Sequence, residues 1–184
     1  MFTREDALGL IKKYLRNENF IKHCFAVEAI MKKTAEKLEK NKEIWSITGL
    51  LHDLDYEYTK DHPENHATMT AQLLDGLLPE ESINAIKAHN YMHTDYIPTT
   101  TIDKALIASD AVSGLIIATA LIMPSKKLSD VSIESLIKKF KDQSFAKGCN
   151  RKRIELCIDS GIDLEPFLKI SLDALVNISA DLGF

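Results

Sequence analysis

The sequence predicts an all-α, single-domain helical bundle, and three observations predict it. Apolar residues recur at helical spacing along almost the whole chain. No alternating apolar and polar run is long enough to propose a sheet. No repeat, low-complexity tract or linker interrupts the 184 residues, whose 45% hydrophobic content is ample for one buried core.

The elements follow in order. Thr3 with Glu5 and Asp6 is an N-cap followed by an acidic first turn, and Ala7, Leu8, Ile11, Tyr14 and Leu15 then keep the helical period. Ile21, Cys24, Phe25, Val27, Ile30, Met31 and Leu38 continue it in a second helix with a Lys- and Glu-rich outer face and His23 near its start. A third helix covers 44–53, and residues 55–61 read as a loop. Pro63 suits the first turn of a fourth helix and Gly76 its stop, while Pro79 opens a fifth that reaches His89. Thr99 to Thr101 lead into a long helix over 102–123, which Pro124 ends. Three shorter helices are expected near 131–142, 150–159 and 164–182, with Gly161 before the last.

Charge and composition narrow the function classes. A net charge of -4 gives no electrostatic footprint for nucleic acid, so a phosphorylated ligand would be met by local cations or metal. Cys24, Cys149 and Cys157 are odd in number and lack a C-x-x-C spacing. With no targeting segment visible, they read as reduced thiols of a cytoplasmic protein. The longest apolar stretch, 111–123, falls short of the roughly 20 residues a membrane helix needs and lies between Asp110 and Pro124. It reads as a central buried helix, and no membrane partner is expected.

His52-Asp53 is the most informative pair in the chain. It follows the apolar run Ile44-Trp45-Ser46-Ile47-Thr48-Gly49-Leu50-Leu51, and a carboxylate delivered there costs several kcal/mol unless a cation or hydrogen bonds compensate it. Candidate partners are His23, His66, His89 and Asp110, the last set between apolar residues on both sides. All six histidines lie within residues 23–93, which points to one site built by the N-terminal portion.

The order His23, His52-Asp53, Asp110 resembles the H...HD...D signature of the HD-domain phosphohydrolase superfamily, and the arrangement is similar to its HDIG-type branch. After the HD pair stand Leu54 and Asp55, the latter where that branch often has Gly. His66-Ala67-Thr68-Met69-Thr70-Ala71-Gln72-Leu73-Leu74 is similar to the family's His-x3-Gly-Ala-x2-Leu helix, with Thr70 replacing Gly. Ala85-Ile86-Lys87-Ala88-His89-Asn90 is similar to the later helix that supplies a His in two-metal members. The resemblance covers roughly 20–120, and residues 125–184 are expected as helices packed on that core. A Gly-Tyr-Pro motif is missing after the HD pair, which points away from the cyclic-dinucleotide branch.

The resemblance implies one or two divalent transition-metal ions, with Fe, Mn, Zn, Ni and Co not distinguished. His23, His52, Asp53 and Asp110 would hold the first, and His66 and His89 with a bridging Asp53 the second. Imidazole and carboxylate donors suit such ions, and two of them could activate a hydroxide for attack on phosphorus, with Asp53, His66 and His89 central to catalysis. The implied substrate is a nucleotide or other small phosphorylated metabolite. His62 precedes Pro63, which pushes it out of helical geometry, so it does not share a face with His66. His93 either lines the substrate pocket or faces solvent. Arg151, in a Gly- and Asn-containing loop near Ser144 and Lys147, is the expected phosphate contact, because a guanidinium binds phosphate bidentately. Two other readings stay open: a catalytically silent metal- or nucleotide-binding module of the same fold, and a helical protein-interaction domain. Phosphate release with and without Mn²⁺ separates the first from an enzyme, and metal-independent thermal stability would mark the second.

Overall fold

Local caps set the helix boundaries. Thr3 closes a capping box with Asp6 and starts α1 (Arg4–Tyr14), and Thr100 does the same with Asp103 for α7 (Thr101–Ile122). Asn17 and Asn41 cap α2 (Glu18–Lys37) and α3 (Lys42–Leu51) through their side-chain oxygens. The short helices α4 (Tyr56–Thr59) and α5 (Thr68–Leu73) precede α6 (Glu80–His89). After α7 come a 3-10 turn (Leu128–Asp130), α8 (Ile133–Lys141), α9 (Arg151–Asp159), α10 (Leu164–Asn177) and α11 (Ser179–Leu182). The computed structural model describes residues 2–184, and among them the regular structure is all helical.

Two apolar clusters fill the interior. The first joins α1, α3, α5, α6 and the start of α7 through Ile11, Leu15, Leu50, Leu51, Ile86 and Leu106. The second joins α8, α9 and α10 through Leu136, Ile154, Phe167 and Leu175. Both α2 and α7 serve both clusters: α2 gives Val27 and Met31 to one and Ala26 and Ile30 to the other, and α7 gives Leu106 and then Val112 and Ile116. The candidate site lies where these two helices approach α3, α6 and α9.

Gly49 makes that approach possible. A Cβ there would stand 2.9 Å from the Val27 carbonyl oxygen and 3.0 Å from Met31 Cγ, so only glycine lets α2 and α3 come this close. The contact brings His23 on α2 against His52 at the end of α3.

Four sequence expectations are corrected. The fourth helix begins at Thr68, not Pro63, because Ala67 takes a φ of 72° that breaks helical continuity just before it. Residues 55–61 contain the single turn α4. The last predicted helix is interrupted at Ile178, whose φ/ψ of -114°/19° separates α10 from α11. The expectation that the central helix is too short to span a membrane is also revised: α7, Thr101–Ile122, agrees with the expected 102–123 to within one residue, and by length and composition its 22 residues are sufficient to cross a membrane. In this fold 67% of its most apolar stretch is buried, packed against α2, α6 and α9.

Candidate metal centre

His52 follows the last residue of α3 and still has helical backbone angles, so its ring folds back one turn and Nδ1 donates to the Gly49 carbonyl at 2.8 Å. His89, the last residue of α6, repeats the device with the carbonyl of Ile86. On α2, His23 Nδ1 lies 3.3 Å from Ser113 Oγ, whose own proton goes to the Asp110 carbonyl at 2.8 Å. In the turn before α5, His66 Nδ1 donates to Asp55 Oδ1 at 2.8 Å. A carbonyl or carboxylate can only accept, and this Ser113 hydroxyl has already given its proton. All four rings therefore carry hydrogen on Nδ1 and turn Nε2 inward, where it can take either a proton or a cation.

The four Nε2 atoms converge. His23 and His52 present theirs 3.3 Å apart, and His66 and His89 theirs 3.1 Å apart. Asp53 stands between the pairs: Oδ1 lies 3.3 Å from His52 Nε2, 3.3 Å from His66 Nε2 and 3.2 Å from His89 Nε2, while Oδ2 lies 3.5 Å from His23 Nε2. Asp110, from the middle of α7, adds Oδ1 at 3.2 Å from His23 Nε2. Imidazole lone pairs aimed at one another at such distances repel unless a proton or cation lies between them. Two groups, His23 with His52 and Asp53, and Asp53 with His66 and His89, have ligand atoms all within 4.8 Å of one another. This N- and O-donor set fits one or two divalent cations, with Asp53 common to both groups.

Electrostatics differ across the centre. Burial pushes His52 down to about 4, leaving its imidazole unprotonated at neutral pH. Burial also opposes the charge on His66, but Asp53 and Asp55 on either side of the ring outweigh it and raise the imidazolium to about 10. Asp53 is held well below the usual carboxylate range: burial works against its charge, and His52, His66 and His89 override that. Asp110 is likewise lowered, with burial opposed by His23 and Arg153.

Five of the six converging residues, all but the fully buried His52, line a cleft of about 420 Å³, with Phe20, Tyr56 and Met92 on its walls and Lys60, His93 and Arg153 also lining it. His93 is exposed there, after the end of α6. His62 faces solvent and pairs with Glu64 at 3.3 Å.

Arg151 is not a phosphate contact, which corrects the expectation from sequence. It is buried, and its guanidinium donates to the carbonyls of Phe140, Ala146, Cys149, Lys139, Asp142 and Phe145 at 2.6–3.1 Å. Its five N–H groups are thereby occupied in tying the loop between α8 and α9 together. The arginine that reaches the centre is Arg153. Its Nη2 donates to Asp110 Oδ2 at 2.7 Å and to the His89 carbonyl at 3.0 Å, and its Nε is buried without a hydrogen-bond partner among the described residues. Asp55 and Asn90 also went unrecognised as supports of the site. Asn90 donates to the carbonyls of Pro63 and His66 at 2.7 and 2.9 Å, pinning the His66 turn to the end of α6.

Histidines and aspartates gathered from α2, α3, the α5 turn, α6 and α7 of an all-helical fold define a class of protein with a His/Asp cluster able to hold a divalent metal. The HD-domain family model matches residues 20–120, a span that contains all six converging residues, and the chain belongs to the HD-domain family. No curated protein and no solved structure matches it.

Proposed function

We propose that the protein is a metal-dependent phosphohydrolase acting on a nucleotide or another small phosphorylated metabolite. The observation that carries this reading is the four Nε2 atoms, each fixed inward by an acceptor on Nδ1, gathered with Asp53 and Asp110 at the base of an open cleft. His23, His52, Asp53 and Asp110 would hold one divalent ion, and Asp53, His66 and His89 a second. Such ions, when bound, lower the pKa of water and neutralise charge on phosphoryl oxygens.

The chain's own residues do the rest. Asp53 is shared by the two ligand groups and fixes them to each other. Arg153 occupies Asp110 Oδ2 and so leaves Oδ1 facing His23. Lys60 and Arg153 line the cleft and supply positive charge to a phosphate against the chain's net charge of -4. Phe20, Tyr56 and Met92 give apolar surface to the rest of a small molecule, and the cleft's volume is within the range of small-ligand sites. An acidic chain disfavours a polyanionic nucleic acid as substrate.

The test is inorganic phosphate release from a panel of nucleotides and sugar phosphates, by protein stripped of metal and then supplied with Mn²⁺, Co²⁺ or Zn²⁺. Metal-dependent release from at least one small substrate is expected. Stoichiometric metal uptake with no release across the panel would leave a binding module.

A further inference from the structure

Of the four histidines of the centre, His66 alone lies neither in a helix nor at its C-terminal end. His52 and His89 each use a carbonyl three residues back in their own helix, whereas His66 precedes α5 and is separated from it by Ala67 at a φ of 72°. Its ring is aimed instead by Asp55, eleven residues earlier. Asp55 is fully buried, a costly place for a carboxylate unless its oxygens are satisfied. One oxygen takes His66 Nδ1–H at 2.8 Å and the other takes the Thr70 backbone N–H at 2.8 Å, a free donor in the first turn of α5. Thr70 returns the bond, its Oγ1 accepting from the Asp55 backbone N–H at 3.0 Å. Thr59 Oγ1, 3.5 Å from His66 Nδ1, donates to the Asp55 carbonyl and braces the same turn.

Positions 55 and 70 are the two at which the sequence replaces a glycine of the pattern it resembles. A glycine at 55 could make neither side-chain bond from that position, and a glycine at 70 would leave the Asp55 N–H without its acceptor. The departures are therefore one reciprocal contact, not two separate substitutions.

We propose that Asp55 and Thr70 form a single positioning device that holds His66 as a metal ligand, with Asp55 the carboxylate that fixes the ring and Thr70 the residue that fixes Asp55. This rests on the two-ion reading of the centre. Asp55 acts through His66 and touches neither ion nor substrate. A carboxylate behind a ligating imidazole fixes its orientation and raises its basicity, and loss of such a partner typically weakens metal binding by roughly 10- to 100-fold.

The experiment is calorimetric titration of metal-stripped protein with Mn²⁺ and with Co²⁺, for wild type, Asp55→Asn, Asp55→Ala, Thr70→Val, Thr70→Ser and His66→Ala. Wild type is expected to take up two ions. Asp55→Asn keeps the volume but has only one acceptor oxygen for two donors, so it should weaken one of the two binding steps by roughly 10- to 100-fold and leave the other unchanged. Asp55→Ala should resemble His66→Ala, and adding it to His66→Ala should change nothing further. Thr70→Val should weaken the same step less, and Thr70→Ser should restore it. The visible absorption of bound Co²⁺ reports ligand geometry and separates this role from loss of helix capping, which would lower the thermal midpoint of metal-free protein without changing the spectrum.

Two wild-type ions with both binding steps intact in folded Asp55→Asn and Thr70→Val would overturn the device alone. A single wild-type ion insensitive to His66→Ala would overturn the second site and the device with it.

Discussion

His52 and His66 present the same atom to Asp53 at the same distance, 3.3 Å, from opposite electrostatic settings. His52 is wholly buried and its outer nitrogen meets a neutral carbonyl one helical turn back, so burial dominates and pushes it down to about 4. His66 has a carboxylate on each side, and these overcome burial and raise it to about 10. One ligand is thus prepared for a cation by the helix that carries it, and the other by a buried charge from a separate turn. Identical inward geometry can therefore hide different proton occupancy, and the two sides of the centre should answer differently to mutation and to pH.

Removing what the two sides share has the largest effect. Asp53→Ala deletes the only carboxylate among the described residues within reach of His23, His52, His66 and His89 together, so activity should be lost and the content of both ions should fall. Elemental analysis beside the phosphate-release assay checks this. Wild-type turnover by Asp53→Ala would end the shared-ligand account.

Separating the two sides is the next test. His66→Ala or His89→Ala should drop bound metal from about two ions toward about one per chain, with a steep fall in activity. His52→Ala should remove the other ion and leave the one at His66. Equal loss of both ions in all three variants would show that the sides are not independent.

The pH response sharpens the contrast and is smaller. A cation at His66 must displace the proton held up to about 10, so affinity on that side should climb by roughly tenfold per pH unit through neutrality. On the other side His52 is unprotonated from about 4 upward, so the climb there should come from His23 alone, which Asp110 and Asp53 raise above its ordinary value against burial. Stability of the metal-free protein follows from the same shifts. The raised value of His66 contributes stability below the unfolded value of 6.5 that is lost as pH climbs through about 10. The lowered value of His52 contributes stability above 6.5 that is lost as pH falls through about 4. Thermal midpoints measured in chelator from pH 4 to pH 10 should therefore peak near the middle of that range.

What the sequence revealed and what it hid follow a physical pattern. Helices with strong caps and a sustained apolar period, such as α1, α2 and α7, were legible because those signals are local. The candidate ligands were legible because the chemistry of metal binding restricts their type and the resemblance restricts their order. The supports were not. Asp55 touches Thr70 across 15 residues and Arg153 touches Asp110 across 43, and nothing in local spacing announces such pairs. The start of α5 was placed too early because Pro63 is a fair first-turn residue, while the positive φ at Ala67 is imposed by the packed turn.

The two arginines of α9 give the last comparison and the smallest effect on activity. Sequence reasoning chose the right segment and the wrong side chain, since positions two apart on a helix differ by about 200° in direction. Arg151 turns back onto the carbonyls of the 139–149 segment, and Arg153 turns toward Asp110 and the cleft. Arg151→Ala should therefore act on stability, on the order of 3 kcal/mol, because buried carbonyls lose charged donors. The KM of whatever folded protein remains should be unchanged. Arg153→Ala should lower the thermal midpoint less than Arg151→Ala, since it removes two hydrogen bonds where Arg151→Ala removes six, but should raise KM for a phosphorylated substrate severalfold, by roughly 1 kcal/mol of lost charge-assisted contact. Arg153→Lys should recover part of that loss, because the charge returns without the planar fork that meets Asp110 and a phosphate together. Steady-state kinetics and thermal melts on the three variants decide the matter. A KM effect confined to Arg151→Ala would reverse the assignment and return Arg153 to a purely structural role behind Asp110.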